Sequence, residues 1–170
     1  MTPYVALLRA VNLGPNSQVG KEVLKAIGDA CGFARARTYI ASGNLLFDAE
    51  GDETGVKAAL EARLLAQIGK PVPVMIRTAA ELAAIRDANP FAAAPGNRVV
   101  AILLDTPPPA DALALARHVD GEEMALGPRE IYVRYTDDGM GRSRLVIPAA
   151  KTGTGRNMNT IAKLAALSLR

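Results

Sequence analysis

The chain has 170 residues, of which 49% are hydrophobic and 22% are charged, a composition that is typical of globular proteins and excludes a disordered chain. Its net charge is only +3 and no block of lysines and arginines occurs, so nucleic-acid binding is permitted but not indicated. A single cysteine, Cys31, allows no internal disulfide, and no apolar run reaches the roughly 18 residues of a membrane span, so we expect a soluble cytoplasmic protein without a membrane partner.

The first half of the chain has the element order β-α-β-β-α-β, which is typical of a ferredoxin-like, or split βαβ, unit. Its first strand carries apolar residues on both faces, so we expect both faces of that strand to be buried. The predicted elements are a strand at 3–12, a helix between Ser17 and Gly32, a hairpin of strands at 35–42 and 44–49, a helix from about Glu53 to Gly69, and a strand at 72–77.

The second half repeats the β-α-β-β pattern. It opens with Thr78 and Glu81, whose spacing predicts a capping box, and the helix that follows ends before Pro90. The later predicted elements are a strand at 98–105, a short helix from Pro109, a hairpin at 122–135, a loop at 151–157 and a terminal helix from Asn157. We therefore predict an α+β protein of two tandem ferredoxin-like units with antiparallel sheets, one at 1–77 and one at 78–170 that includes a C-terminal helical extension.

Four sequence strings occur in a characteristic order: YVALLRAVN at 4–12, RTYIASGNLLF at 37–47, NPF at 89–91 and TGRNMNTIAKL at 154–164. Together they resemble the bacterial domain of unknown function 1697 family, and the resemblance covers essentially the whole chain. It implies two linked ferredoxin-like domains and brings no established reaction, substrate or cofactor. Ala10 stands where the family usually has glycine, and Met158 where it usually has tryptophan, which would remove a stacking surface from any shared site.

None of the common catalytic motifs is complete in the sequence. The segment at 14–22 has five residues where the P-loop motif has four, and Glu22 replaces the serine or threonine that would hold magnesium, so nucleotide hydrolysis is excluded there. His118 is the only histidine, and Cys31 lies on the apolar stripe of a predicted helix, so neither a nucleophile with its base nor a metal site is indicated. The sequence therefore favours a non-enzymatic role, with no catalytic residue, metal or cofactor.

The glycine-rich segment at 153–157, ahead of the terminal helix, has two interpretations. Free N–H groups at a helix N-terminus, with Arg156 beside them, would suit an anion. Alternatively, Asn157 and Thr160 simply cap the helix. A dinucleotide-binding fingerprint is not completed, because Met158 stands where its last glycine would be. The sequence leaves the anion and the cap interpretations open.

Polar and cationic residues concentrate at the end of the first strand, at the hairpin turn and at the start of the terminal helix. The candidate site residues are Arg9, Asn12, Tyr39, Ser42, Asn44, Arg156, Asn157, Asn159 and Thr160. In a ferredoxin-like sheet the first strand lies beside the strand that follows the hairpin, so the first two groups are expected to be neighbours. We hypothesise that the third group folds back onto them, either to form a ligand site or to lock the C-terminal segment to the core.

The sequence thus predicts a binding or regulatory module for a small ligand or a phosphate-bearing anion. One alternative is nucleic-acid binding through Arg9, Arg37 and Arg156, and another is an enzyme of unrecognised mechanism. A base-stacking RNA platform is disfavoured, because an apolar first strand implies a covered sheet. The cover is either the other half of the chain or a second subunit, so a homodimer is an option.

Overall fold

The computed structural model of the protein describes residues 1–9, 20–40 and 43–170. Within these ranges the fold is α+β, as predicted, with two four-stranded antiparallel sheets and helices packed on them. The chain divides into a first unit of residues 1–82 and 164–170 and a second unit of residues 83–163. The boundary expected between residues 77 and 78 stays a prediction. Among the helices of the described ranges, none combines the length and the apolar character that a membrane span requires.

The first unit has the β-α-β-β-α-β order of a ferredoxin-like fold. Its elements are β1 (Thr2–Leu8), α1 (Lys21–Ala30), β2 (Ala34–Thr38), β3 (Asn44–Ala49), α2 (Glu53–Ile68) and β4 (Val74–Thr78). The strand order across the sheet is β2-β3-β1-β4, so β1 lies between β3 and β4 and pairs antiparallel with both. The split βαβ connection predicted from the sequence is therefore confirmed.

Single residues define the ends of the helices in this unit. Asp52 caps α2, because its side chain accepts a hydrogen bond from the Gly55 N–H at 2.9 Å. The helix ends at Gly69 with φ 85°, a left-handed value that favours glycine. α1 begins after Gly20, and the predicted cap, Ser17, lies outside the described residues.

β1 is buried on both of its faces, as predicted. Tyr4, Ala6 and Leu8 join a hydrophobic core with residues of α1 and α2. The helix residues in that core include Leu24, Ile27, Val56, Leu60 and Leu64. Val5 and Leu7, which point to the opposite face, are fully buried as well. Neither face of this strand is therefore an open platform for stacking.

The second sheet repeats the strand order of the first, as β6-β7-β5-β8. The elements of this half are α3 (Ala79–Asp87), β5 (Val99–Leu103), β6 (Glu123–Leu126), β7 (Glu130–Arg134), β8 (Thr154–Asn157) and α4 (Met158–Ser168). The predicted capping box of α3 is confirmed. The Thr78 N–H donates to Glu81 Oε1 at 2.9 Å, and the Glu81 N–H donates to Thr78 Oγ1 at 3.1 Å.

Two predicted elements of the second half are wrong. The segment after Pro109 forms turns at 110–115, because so short a stretch closes single turns, such as the Ala112 N–H to Pro109 O at 3.0 Å, without reaching a stable helix. Residues 154–157, predicted as part of a loop, form β8 and pair with β5. Gly153 permits this close approach, since a Cβ there would lie 2.8 Å from Leu103 O.

As a result, turns instead of α-helices cover one face of the second sheet. The hydrophobic cluster on that face contains five buried residues among the described ones, against fifteen in the core under α1 and α2. Leu113 and Ala116 from the turn segment, and Leu145 from the segment before β8, pack against this cluster while only partly buried. The cover is therefore incomplete, and a groove remains.

Candidate functional site

A groove of about 620 Å³ opens on the turn-covered face of the second sheet. Its lining has three polar residues, Arg117, Tyr135 and Lys151, and six apolar ones, which are Ile102, Leu145, Val146, Ile147, Pro148 and Ala150. The groove that these residues line is termed the β5 groove. The described residues that line it include no aspartate or glutamate, so the groove carries a positive charge.

Arg117 is positioned by an isolated antiparallel bridge to Val146. The Arg117 N–H donates to Val146 O at 2.8 Å, and the Val146 N–H donates to Arg117 O at 2.9 Å. Both backbone hydrogen-bonding groups of Arg117 are thus satisfied, which fixes the point from which its side chain leaves the backbone. The bridge therefore fixes the main chain of Arg117 beside the groove, while its side chain is exposed.

The other two polar side chains come from separate segments. Lys151 directly follows a 3-10 helix at Pro148–Ala150. Tyr135 follows β7, and its N–H donates to Arg98 O at 2.8 Å. Burial, with the nearby charge of Glu122 adding to it, raises the pKa of Tyr135 above its ordinary value. Its phenol is therefore neutral at neutral pH and able to donate a hydrogen bond.

A second cavity, of about 640 Å³, is lined by His118, yet the contacts of its described side chains do not make a catalytic pair. Ser143 Oγ donates to Glu122 Oε1 at 2.7 Å and accepts a hydrogen bond from the Leu145 N–H at 3.2 Å. The hydrogen bond from Ser143, with another from the Asp120 N–H, lowers the pKa of Glu122. A carboxylate of lowered pKa is a poor general base, so this serine is a turn contact and not an activated nucleophile. Among the described residues, no group of three or more His, Cys, Asp or Glu is placed to hold a metal ion.

Of the predicted site residues in the first unit, Tyr39 and Asn44 are brought together at the hairpin. The fully buried Asn44 side chain donates from Nδ2 to Tyr39 O at 3.1 Å, and the Tyr39 N–H donates to Asn44 O at 3.3 Å. Asn44 therefore has a structural use, because its side chain and main chain both bond the main chain of Tyr39. Arg9 follows β1, and its N–H donates to Pro73 O at 2.9 Å. The candidates outside the described residues are Asn12 and Ser42.

In the second unit, Arg156, Asn157 and Thr160 lie around the start of α4. Arg156 is only 9% exposed, and its Nη1 donates to Thr154 Oγ1 at 2.8 Å and to Gly155 O at 2.9 Å. Burial lowers its pKa to about 10, so it remains a cation at neutral pH. Asn157 Oδ1 accepts a hydrogen bond from the Thr160 N–H at 2.9 Å, which confirms the cap interpretation.

The predicted glycine-rich loop at 153–157 is wrong, because its last four residues form β8 and the Asn157 side chain caps α4. Asn159 is exposed in the first turn of that helix. The described candidates thus divide between the two units, with Arg9, Tyr39 and Asn44 in the first and Arg156, Asn157, Asn159 and Thr160 in the second. The hypothesis that both groups form one site stays a prediction.

The sequence analysis missed a correspondence between two buried arginines. Arg77 on β4 is 1% exposed and Arg156 on β8 is 9% exposed. Each donates from Nη1 to the main-chain oxygen of the preceding residue at 2.9 Å. Each also directly precedes a residue that caps a helix, Thr78 or Asn157. The pattern of an arginine followed by a capping residue is visible in the sequence of both halves.

The sequence analysis also missed how the C-terminal segment of the first unit is held. Arg37 Nη2 donates to Leu167 O at 2.8 Å, and Arg35 donates to the main-chain oxygen of Arg170. Arg35 pairs with Asp48 as well, from Nε to Oδ2 at 2.7 Å, and it lies at a β-bulge with a left-handed φ of 53° that is uncommon for arginine. Arg35 and Arg37, termed the C-terminal clamp, therefore hold the segment by hydrogen bonds.

Three comparisons with known proteins bear on this arrangement. The model of the family described as "Protein of unknown function (DUF1697)" matches residues 1–132. No curated protein matches the chain. Among solved structures, the conserved bacterial protein SP0830 from Streptococcus pneumoniae is similar, with a TM-score of 0.78 at 16% sequence identity, covering 100% of this chain and 99% of that chain. At this identity the likeness shows the fold alone.

Proposed function

This chain belongs to the family of unknown function DUF1697, and we propose that it is a binding module for a small organic anion, which the second unit holds in the β5 groove. The observation that carries this proposal is the placement of two cations, Arg117 and Lys151, in a lining that is otherwise largely apolar and contains no acid. Such a site suits a molecule with an apolar body and a negatively charged head group. A regulatory role would act through the same binding event.

The size and the lining of the β5 groove support this proposal. Its volume of about 620 Å³ falls within the roughly 300–1,000 Å³ of ligand pockets, which combine apolar walls with a few polar groups. Arg117 and Lys151 are both exposed, so solvent and salt screen part of their attraction for an anion. Burial of the ligand's apolar body would supply affinity, and the cations would orient its head group.

The alternatives drawn from the sequence have less support. Arg37 and Arg156, expected to contact nucleic acid, donate hydrogen bonds to the main-chain oxygens of Leu167 and Gly155, and Arg156 is nearly buried. These contacts give both arginines a structural use, so no observation favours nucleic acid over a small anion. The cytoplasmic location and the homodimer stay predictions.

Fluorescence titration with 8-anilinonaphthalene-1-sulfonate tests the proposal, since this probe combines an aromatic body with an anionic group. We expect saturable binding to the folded protein and about tenfold weaker binding to Arg117→Ala, because a hydrogen bond to a charged group contributes about 1.5–3 kcal/mol. Arg142→Ala is the matched control, since Arg142 is exposed in the same unit and does not line the groove. Absence of saturable binding to the wild type, or an equal loss in both variants, would reject the proposal.

A further inference from the structure

The edges of the two sheets differ in how their main-chain groups are used. The edge strands are β2 and β4 in the first sheet and β6 and β8 in the second. An edge strand presents a row of N–H and C=O groups that can pair with another chain, and proteins usually block it with bulges, charged side chains or covering segments. An edge without such a block is therefore a place where a further strand can be added.

The edges at β2, β4 and β8 are blocked. β2 carries the β-bulge described above, and a bulge twists an edge away from a partner. In β4 the Val74 N–H donates to Glu61 Oε2 at 3.1 Å, and Val74 O accepts a hydrogen bond from Lys57 Nζ. In β8, Gly155 O accepts a hydrogen bond from Arg156 Nη1 at 2.9 Å. Side chains of the protein itself therefore occupy groups that an added strand would need.

The edge at β6 is open among the described residues. β6 covers Glu123–Leu126 and pairs with β7 alone. The Gly127 N–H donates to Glu130 O at 2.8 Å, and hydrogen-bonded pairs alternate with non-hydrogen-bonded pairs along antiparallel strands. The N–H and C=O groups of Met124 and Leu126 therefore point away from β7. They have no hydrogen-bond partner in the part of the chain that the structure describes.

A second copy of β6 fits this edge in one antiparallel register. With Met124 of each copy opposite Leu126 of the other, each pair exchanges both of its N–H···O bonds, and Ala125 lies opposite Ala125 at the twofold axis. The next registers of the same kind fit less well. They would pair one of the two residues with Pro128, which has no N–H, or with Glu122, which precedes the strand.

The apolar side chains of β6 suit the same register. Met124 packs against the hydrophobic cluster that contains Ile131 and Val133, its neighbours on β7. Leu126 shares the face of Met124, because side chains alternate along a strand, yet it is 38% exposed. Pairing of two copies would place each Leu126 beside the other copy's Met124. The apolar row would then continue across the twofold axis and cover Leu126.

Charge does not oppose this register. Glu123 forms an ion pair with Arg134 of β7, from Oε1 to Nη1 at 3.0 Å, so its charge is balanced within its own copy. In the register described, Glu123 of one copy lies opposite Gly127 of the other. Like charges that lie directly opposite each other destabilise a strand pair, and this register has none along β6. The edge is therefore complementary to itself.

We propose that β6 is a self-association surface, through which two copies of this chain join their second sheets into one continuous sheet about a twofold axis. The inference does not depend on the anion proposed for the β5 groove. Because β6 is short, the surface that it buries is small, so the dimer is weak and forms at high protein concentration.

Sedimentation velocity over a range of protein concentrations tests this pairing with two charge variants at the twofold axis. Ala125→Lys and Ala125→Glu each place like charges directly opposite each other, so each should self-associate at least about tenfold more weakly than the wild type. An equimolar mixture of the two variants places opposite charges there and should restore the dimer. Leu65→Lys is the matched control, because Leu65 is 48% exposed in the first unit, and it should leave association unchanged.

Amide hydrogen exchange of the wild type adds a measurement that needs no variant. The amides of Met124 and Leu126 should exchange more slowly as the protein concentration rises, whereas that of Ala125, which faces β7, should be protected at every concentration. A wild type that stays monomeric up to about 1 mM overturns the proposal. So does association that is unchanged in both Ala125 variants, because the copies then meet through another surface. A mixture that stays monomeric although circular dichroism shows both variants folded overturns it as well.

Discussion

Replacing Arg37 with alanine removes a contact that ties the end of α4 to β2. In the wild type, Arg37 donates from Nη2 to Leu167 O at 2.8 Å and from Nη1 to Arg35 O at 2.9 Å. Leu167 O belongs to the last helical turn, where carbonyl groups have no partner within the helix and a cation interacts favourably with the helix dipole. Burial, followed by the charge of Arg35, lowers the pKa of Arg37, but an arginine stays charged at neutral pH.

A hydrogen bond to a charged group contributes about 1.5–3 kcal/mol, and the partial exposure of this one reduces its value. We therefore expect Arg37→Ala to lower the free energy of unfolding by about 1–2 kcal/mol, or Tm by about 2–8 °C. Urea unfolding followed by circular dichroism measures the first quantity. Amide hydrogen exchange at residues 164–170 shows whether the loss is local to the clamped segment.

Two variants make this measurement specific. Arg37→Lys keeps the charge without the fork and should recover part of the lost stability. Arg142→Ala removes an exposed arginine outside the C-terminal clamp and should change the free energy of unfolding by less than about 0.5 kcal/mol. If Arg37→Ala also stays within about 0.5 kcal/mol of the wild type, with unchanged exchange in the segment, the C-terminal clamp has no energetic role.

The remaining predictions concern β8 and Asp48. Gly153→Ala should lower the free energy of unfolding in urea by about 1–3 kcal/mol, since its Cβ would lie 2.8 Å from Leu103 O. Gly141→Ala, whose Cβ would have no neighbour within 4 Å, is the control, and equal losses would contradict the argument. The hydrogen bond from Arg35 lowers the pKa of Asp48 in the folded protein. The ionised Asp48 therefore stabilises the fold fully above its unfolded pKa of about 3.9, and this stabilisation is lost as the pH falls through the lower folded pKa. In Asp48→Asn the free energy of unfolding should therefore fall less steeply than in the wild type as the pH is lowered. If it falls as steeply in the variant as in the wild type, the ion pair does not contribute to acid stability.

The elements of the first unit could be predicted from the sequence because they depend on interactions between residues that are close in the chain. The capping box of Thr78 and Glu81 depends on atoms three residues apart, and the end of α2 depends on the left-handed conformation of Gly69 alone. The four-residue spacing of Val56, Leu60 and Leu64 puts all three on one face of α2, and all three are buried. In each case, the residues that determine the structure lie within a few positions of it.

β8 and the β5 groove could not be predicted from the sequence, because both depend on contacts between segments that are far apart in the chain. Residues 154–157 look like a loop until the free edge of β5 offers them hydrogen-bonding partners. Arg117 faces the groove because of its bridge to Val146, and no periodicity links the two positions. Among the three polar residues of the groove, Tyr135 alone had a pattern that indicated its position, since it continues the alternation of Ile131 and Val133 along one face of β7.

The two units share a strand order and an arginine before a helix cap, but they differ in what covers one face of each sheet. In the first unit α1 and α2 cover that face, whereas in the second unit turns and a 3-10 helix take the place of helices. A sheet face without helices leaves apolar side chains such as Ile102 incompletely covered, and exposed apolar surface is a place where proteins bind other molecules. The absence of long periodic helices, which made the second half harder to interpret from its sequence, is therefore also what opens the β5 groove.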